Sequence, residues 1–507
     1  MSVDKKIRYL FVALLCMAGF FYAFERPGLF WQLTAAESGS SGTPKPDEQF
    51  GCWIGDMRGK PQEGTTGSGK SQEPGKSATD GEAPDWFKNL ADTEEKKEPD
   101  ADTIARARQL QEEQWSREIN KSPRARLLYT TISDARLPGL SFNNTVITGA
   151  TFINCELPDF TASGVTFTDV RFHRVKMDKA RFTDCVFENC IFENTRLDRA
   201  ILKKNNFKGG SFRMVEAKTV RAMILPGIFY STLDQVTFDG TSFLDAPIND
   251  VDGEVTMRNL KEVRFRTQAV PLISGAGLKL RLENSVIDGA KFAALDNSRL
   301  RILGSTFAQG PISLGSGSIL VENSTFVGKE SLRVSGLALI RKSSLMAAEI
   351  VKGKMYLADC ELTGQESAVN ARYQPKFSVQ KHGELNIIGS SGEHMRLGSS
   401  GTVNISGLSL ESLSMESSGH EPTAALNLKD FSAKSAQIGY TNLKGGNWLN
   451  VALPRVKLSG SRHDFGNIRL KNVTAPFLKE LYGGKLPVTD NPDWPNIKLP
   501  DDSSFAF

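Results

Sequence analysis

The chain has 507 residues, with 62 basic and 58 acidic side chains and a formal net charge of +4. A balance this close supplies no global field, which excludes a nucleic-acid binder held by bulk charge and an acidic mimic of nucleic acid. The six cysteines, at 16, 52, 155, 185, 190 and 360, form no CxxC pair and have no histidine at ligand spacing, which excludes a structural zinc site.

In chain order, the first predicted element is a helix over residues 7–24, an apolar run of bilayer-spanning length interrupted only by Arg8 near its edge. Lys5, Lys6 and Arg8 lead it and Glu25, Arg26 and Pro27 follow. The positive-inside rule therefore keeps residues 1–6 cytoplasmic and places the bulk of the chain in the periplasm or outside. The expectation is a single-pass anchor in a bacterial inner membrane. A cleaved signal peptide is the rival, because Thr34-Ala35-Ala36 resembles a peptidase site, but that site lies far beyond an overlong apolar core. Lipidation at Cys16 is disfavoured by Leu15, which stands where a small residue is needed.

Residues 34–99 are rich in Gly, Ser, Pro, Lys and Glu and read as a disordered linker. The island Phe50-Gly51-Cys52-Trp53-Ile54 is its one apolar cluster, and Cys52 its accessible thiol. Residues 102–120 lack internal Gly and Pro and predict a helix, with a thin stripe of Ile104, Leu110, Trp115 and Ile119. This helix is expected to cap whatever repeat structure follows.

That repeat has a period of five. Bulky apolar residues recur at Phe142, Ile147, Phe152, Leu157, Phe167, Phe172, Met177, Phe182, Phe187, Phe192, Leu197, Leu202, Phe207 and Phe212. Two positions before each stands a mostly smaller residue, such as Val165, Cys185 or Ala200. Neither helix nor ordinary strand has this period. It fits a square coil in which each unit forms one wall and both marked residues point inward. At Ala162 the bulky position shrinks while Phe160, two before it, grows, keeping the interior volume roughly constant.

Units such as Ala180-Arg181-Phe182-Thr183-Asp184, Cys185-Val186-Phe187-Glu188-Asn189 and Cys190-Ile191-Phe192-Glu193-Asn194 resemble the pentapeptide-repeat family. The resemblance covers residues 140–214 and implies a right-handed quadrilateral β-helix. Arg181, Val186 and Ile191 stand where that family favours Asp or Asn, and Asn205 and Gly210 weaken the last units. The pentapeptide-repeat β-helix is assigned to residues 137–250.

A looser parallel β-helix is expected over 251–380, where the small-x-large signature returns once per coil at Ser285-x-Ile287, Ser305-x-Phe307, Ser324-x-Phe326, Ser343-x-Leu345 and Cys360-x-Leu362. Most recurrences follow strand-like runs, LKLRL, RLRIL, SILV, LALI and KMYL. Residues 381–476 remain strand-rich without a persistent register, and the proline-rich 477–507 reads as an irregular cap across the final coil. The fold class is thus all-β, a β-helix preceded by a transmembrane helix.

No catalytic residue, cofactor or metal site is expected. His173, His382, His394, His420 and His463 are scattered, and no dense carboxylate cluster appears within 255–380. Lys279, Arg281, Arg299, Arg301 and Arg341, with Lys342, form a candidate face for an anionic ligand such as a glycan. The leading expectation is a non-enzymatic envelope scaffold that presents its β-helix surface to envelope proteins, with no nucleic-acid partner. A glycan-binding or glycan-modifying β-helix and a secreted pentapeptide-repeat effector are the alternatives.

Overall fold

The computed structural model describes residues 101–218, 227–265, 271–308, 311–327, 332–363, 376–416, 425–439, 446–459, 468–481 and 494–506. The expected cytoplasmic residues, the hydrophobic segment 7–24, the linker 34–99 and Cys16 and Cys52 lie outside the described residues. No helix among the described residues is long and apolar enough to cross a membrane.

The described chain is a parallel β-solenoid. A five-residue unit leaves three residues for a strand and two for a corner, so its strands are short. One turn consists of Thr151–Ile153, a bridge at Glu156, Thr161–Ser163 and Thr166–Thr168. Each side pairs in parallel with the residue one turn later, as in Phe152 with Phe172 and Phe167 with Phe187. Turn after turn, this register stacks like on like.

One ladder runs the length of the solenoid. Its inward column is Ile132, Phe152, Phe172, Phe192, Phe212, Phe238, Met257, Leu282, Ile302, Val321, Ile340, Leu357, Ile387, Ile405, Leu428, Trp448 and Leu470. All of these side chains are buried. The rings of Phe172, Phe192 and Phe212 stack face to face with centroids 4.8 and 4.7 Å apart. That separation is the spacing of hydrogen-bonded strands, so the backbone ladder itself sets the ring stack. Phe160 enters the wall left open by Ala162 and meets Phe142 and Phe182, each at 5.2 Å.

The cross-section changes along the axis. The wall formed by Val146–Thr148 and its successors ends at Leu233 and Gly253, within the strands Thr232–Asp239 and Asp252–Arg258. From Lys279–Glu283 onward three walls close a turn, here completed by Val286–Ile287 and Lys291–Leu295. Farther on, long strands bend round a corner without breaking, as in Lys376–Ile388 and Thr402–Glu416. Register therefore persists beyond residue 381, where the sequence pattern offered none.

Many corners take a left-handed residue. Asn154, Asn194, Asn259, Asn284, Asn323, Asn450 and Asn472 all have φ between 48° and 56° except Asn284, at 46°. Asn tolerates this region because its short side chain hydrogen-bonds locally. Buried serines make a second kind of contact at the start of each small-x-large unit. Ser305 Oγ accepts the Ser285 backbone N–H at 3.2 Å and donates to the Leu303 carbonyl at 3.0 Å, and Ser324 and Ser343 repeat the bond to the preceding coil. Asn205, expected to weaken the repeat, links coils in the same way, since its side chain accepts from the Cys185 N–H and donates to the Phe182 carbonyl.

Helix α1, Ala101–Lys121, sits at the first coil. Only its second half packs, through Ile119, Ser116 and Trp115, whereas Ile104 and Leu110 are exposed. The expected four-residue stripe is thus half used. Asn120 instead carries the capping contact, accepting the Ser141 N–H at 2.8 Å and donating to the Gly139 carbonyl at 3.0 Å. Helix α2, Pro123–Leu127, buries Leu127, and α3, Pro476–Leu481, buries Phe477 and Leu478 after the last strand.

Candidate functional site

A strand alternates its side chains, so each inward column is flanked by outward ones. On the long ladder the central outward column reads Thr256, Arg281, Arg301, Leu320, Leu339, Tyr356, Asn386, Asn404, Asn427 and Asn447. It passes from basic through apolar to amide. An outward-facing sheet surface is ordinarily polar, so the three apolar residues mark a covered patch.

The cover is the chain's own C-terminal segment. Phe505 is 1% exposed and lies in a cluster with Leu320, Leu339 and Tyr356, while Leu337 and Ile497 pack at its margin. The segment ends in a single 3-10 turn, Asp502–Phe505. The Arg299 guanidinium donates to the Ala506 carbonyl at 2.8 Å, Arg341 to Asp502 at 2.9 Å, and Ser318 Oγ to the Ser504 carbonyl at 3.4 Å. Residues 494–506 therefore do not cross the final coil as the proline pattern suggested. They lie on the outer face of coils between Arg299 and Tyr356, and among the described residues it is α3 that packs on the last turn.

The five basic residues of the candidate anionic-ligand face are gathered on this ladder. Lys279 is in register with Arg299, and Arg281 with Arg301. They do not form a free basic stripe. Lys279 lies 3.8 Å from Glu254, Arg281 donates to Glu283 at 2.5 Å, and Arg341 is held between Glu322 and Asp502. These two carboxylates hold the Arg341 guanidinium protonated even above its usual range, with Glu322 the larger influence. The Nε of Arg301 is buried without a hydrogen-bond partner among the described residues. Lys342 turns the next corner at φ 50° and leaves the face.

Beyond Tyr356 the column becomes an amide ladder. Asn404 donates to Asn386 Oδ1 at 2.7 Å, Asn427 to Asn404 at 2.7 Å and Asn447 to Asn427 at 3.0 Å. The first three are buried, with Asn386 wholly so. Burial raises the Tyr356 hydroxyl pKa above its ordinary value, and a hydrogen bond to Glu384 raises that of Lys354.

The repeat-core residues named from the five-residue period, Phe142 through Phe212 with Phe160, are all buried. Cys155, Cys185, Cys190 and Cys360 are buried free thiols. Desolvation pushes Cys190 up to about 12 and Cys360 up to about 11. Their thiols donate to carbonyls of their own and the preceding coil, as Cys190 does to Phe167 at 3.4 Å. His173 pairs with Glu193 at 3.0 Å and His394 with Ser412 at 2.8 Å, while His420 and His463 lie outside the described residues. Among the described residues no group of three His, Cys, Asp or Glu side chains converges as a metal site.

Sequence reasoning found the basic residues but missed the segment that binds two of them, Arg299 and Arg341. The signal that could have found it was LALI, where alternation fails: Leu337 and Leu339 are apolar at outward positions as well as inward ones.

Comparison with known proteins accords with the repeat. Residues 147–184 and 180–213 match the family model of pentapeptide repeats, in eight copies. No curated protein matches the chain. Among solved structures it is similar to HetL, a pentapeptide repeat protein involved in heterocyst differentiation regulation from the cyanobacterium Nostoc, at 13% identity. The match covers 43% of this chain and 90% of that one, with a TM-score of 0.21. Residues 147–213 are thus pentapeptide repeats, an assignment that rests on the family match and the ladder geometry.

Proposed function

We propose that the chain is a membrane-anchored, extracytoplasmic structural and interaction protein of the bacterial envelope, without enzymatic activity, whose solenoid offers its flanks to protein partners. The anchor is assigned to residues 7–24, on the strength of an apolar run led by Lys5, Lys6 and Arg8. One observation carries the interaction role: an outward strand face of Leu320, Leu339 and Tyr356, flanked by arginines, that holds the C-terminal segment by its side chains. Burial of an apolar ring beside fixed charges is the chemistry of peptide recognition. Binding of an anionic glycan by Lys279, Arg281 and Arg341 is the weaker reading, because acidic side chains of this chain already neutralise them.

The topology is tested at Cys52. The four described cysteines are buried and Cys16 lies in the hydrophobic run, so an impermeant thiol reagent reports on Cys52. Labelling in intact spheroplasts is the expected result. Labelling only after membrane rupture would place the body on the cytoplasmic side and remove the envelope reading. Affinity purification from solubilised membranes is expected to recover a stable companion protein.

A further inference from the structure

From the seating of the C-terminal segment we infer that the face of Leu320, Leu339, Tyr356 and Arg341 is a peptide-recognition groove for a partner segment bearing a carboxylate three residues before an aromatic ring. Residues 501–506 occupy it in cis. The inference deepens the interaction reading by giving the partner's chemistry, and it is independent of the anchor.

The segment displays what the groove takes. Phe505 supplies the ring, buried against Leu320, Leu339 and Tyr356. Asp502, three positions earlier, supplies the carboxylate, bound by Arg341 at 2.9 Å. Arg299 and Ser318 take main-chain carbonyls, of Ala506 and Ser504, so these contacts demand a peptide backbone but no particular side chain. Spacing, charge and ring are specified, while the residues between are not. The intervening Ser503 and Ser504 are both exposed.

The groove is also built into the sheet. Leu320, Leu339 and Tyr356 come from three successive coils in strict register, so the pocket is rigid whether or not it is filled. Its occupant is held differently. The coils are joined by continuous backbone ladders, whereas the segment is held by one buried ring, the partly buried Ile497 and a few side-chain hydrogen bonds, with the Asp502 side chain 56% exposed. Such elements open locally at far smaller cost than the fold they rest on. Tethering gives the segment an effective concentration on the order of millimolar, so a partner must compete with it, and weakening the segment opens the groove.

The test uses the purified full chain and a fluorescent peptide of residues 494–507, read by polarisation. The Phe505→Ala chain, with unchanged circular dichroism and cooperative melting, is expected to bind the peptide at least tenfold more tightly than the unaltered chain. Adding Arg341→Glu to that chain is expected to reverse the gain. A second peptide keeps only Asp-x-x-Phe in a Gly/Ser background and is expected to bind the Phe505→Ala chain as well. Equal binding by the folded Phe505→Ala and unaltered chains would overturn the groove. Binding of the first peptide without the second would make the contact a private clamp and overturn recognition of a partner. Both readouts are made in solution, so their failure leaves the Cys52 result untouched.

Discussion

At the scale of single residues, the solenoid is specified by what each corner and each inward position needs. The corner of the long ladder holds Asn323, Lys342 and Asp359 in successive coils, at φ 48°, 50° and 51°. The lysine is the misfit, because an unbranched L side chain gains nothing locally from the left-handed region. Lys342→Asn is expected to stabilise the chain by about 0.5–1 kcal/mol, seen as a higher denaturant midpoint with an unchanged slope. The inward thiols set a second residue-scale behaviour. An unfolded cysteine ionises near its ordinary value of 9.0, whereas folded Cys190 keeps its proton to about 12. The unfolded chain therefore binds fewer protons above pH 9, and stability falls as pH rises from about 9 toward 12. Cys190→Ala is expected to lower stability at pH 7 by about 1 kcal/mol and to flatten this alkaline limb. An unchanged limb in pH-dependent unfolding would count against burial of that thiol.

Elements show where local signals stop being enough. The helix Ala101–Lys121 is legible from its lack of Gly and Pro, yet its docking is not carried by the apolar stripe. Ile104 and Leu110 remain in solvent, and the polar Asn120 makes the contact with the first coil. A side chain that satisfies two orphan backbone groups has no periodicity to betray it. Asn120→Ala is expected to cost about 1 kcal/mol, with faster hydrogen exchange at the Ser141 amide. Asn120→Asp, which keeps the acceptor and loses the donor, should fall between the two. The C-terminal segment makes the same point from the other side. Its prolines correctly suggest irregular chain, but proline content says nothing about where that chain lies. Phe505 needs Leu320, Leu339 and Tyr356 for meaning, and those residues come together only through folding.

For the whole molecule, the architecture was readable wherever the spacing was constant. From Phe152 to Phe212 one column recurs every 20 residues, because four five-residue walls close a turn. Farther on, Ile387, Ile405, Leu428, Trp448 and Leu470 occupy the same column at steps of 18, 23, 20 and 22 residues, by subtraction of their numbers. The number of residues between successive members varies, so the column survives in space while its period vanishes from the sequence. Each coil meets only its neighbours, and damage should stay local. Phe192→Ala removes the middle ring between Phe172 and Phe212 and is expected to cost about 3–5 kcal/mol. Hydrogen exchange should quicken across residues 171–213 and stay unaltered across 402–416. Uniform loss of protection would mean the solenoid melts as one unit.

The amide ladder of Asn386, Asn404, Asn427 and Asn447 has a directional sense, each side chain donating to the one before it. A row of aligned amides polarises its members, so the chain carries a small electrical axis along one flank. At its near end the row runs on to a carboxylate, because Asn386 donates to Glu384 Oε1 at 3.1 Å, and Asn386 lies in register with Tyr356, which Phe505 covers. A visitor that lifts the C-terminal segment would therefore admit water beside Tyr356, one coil before that row begins.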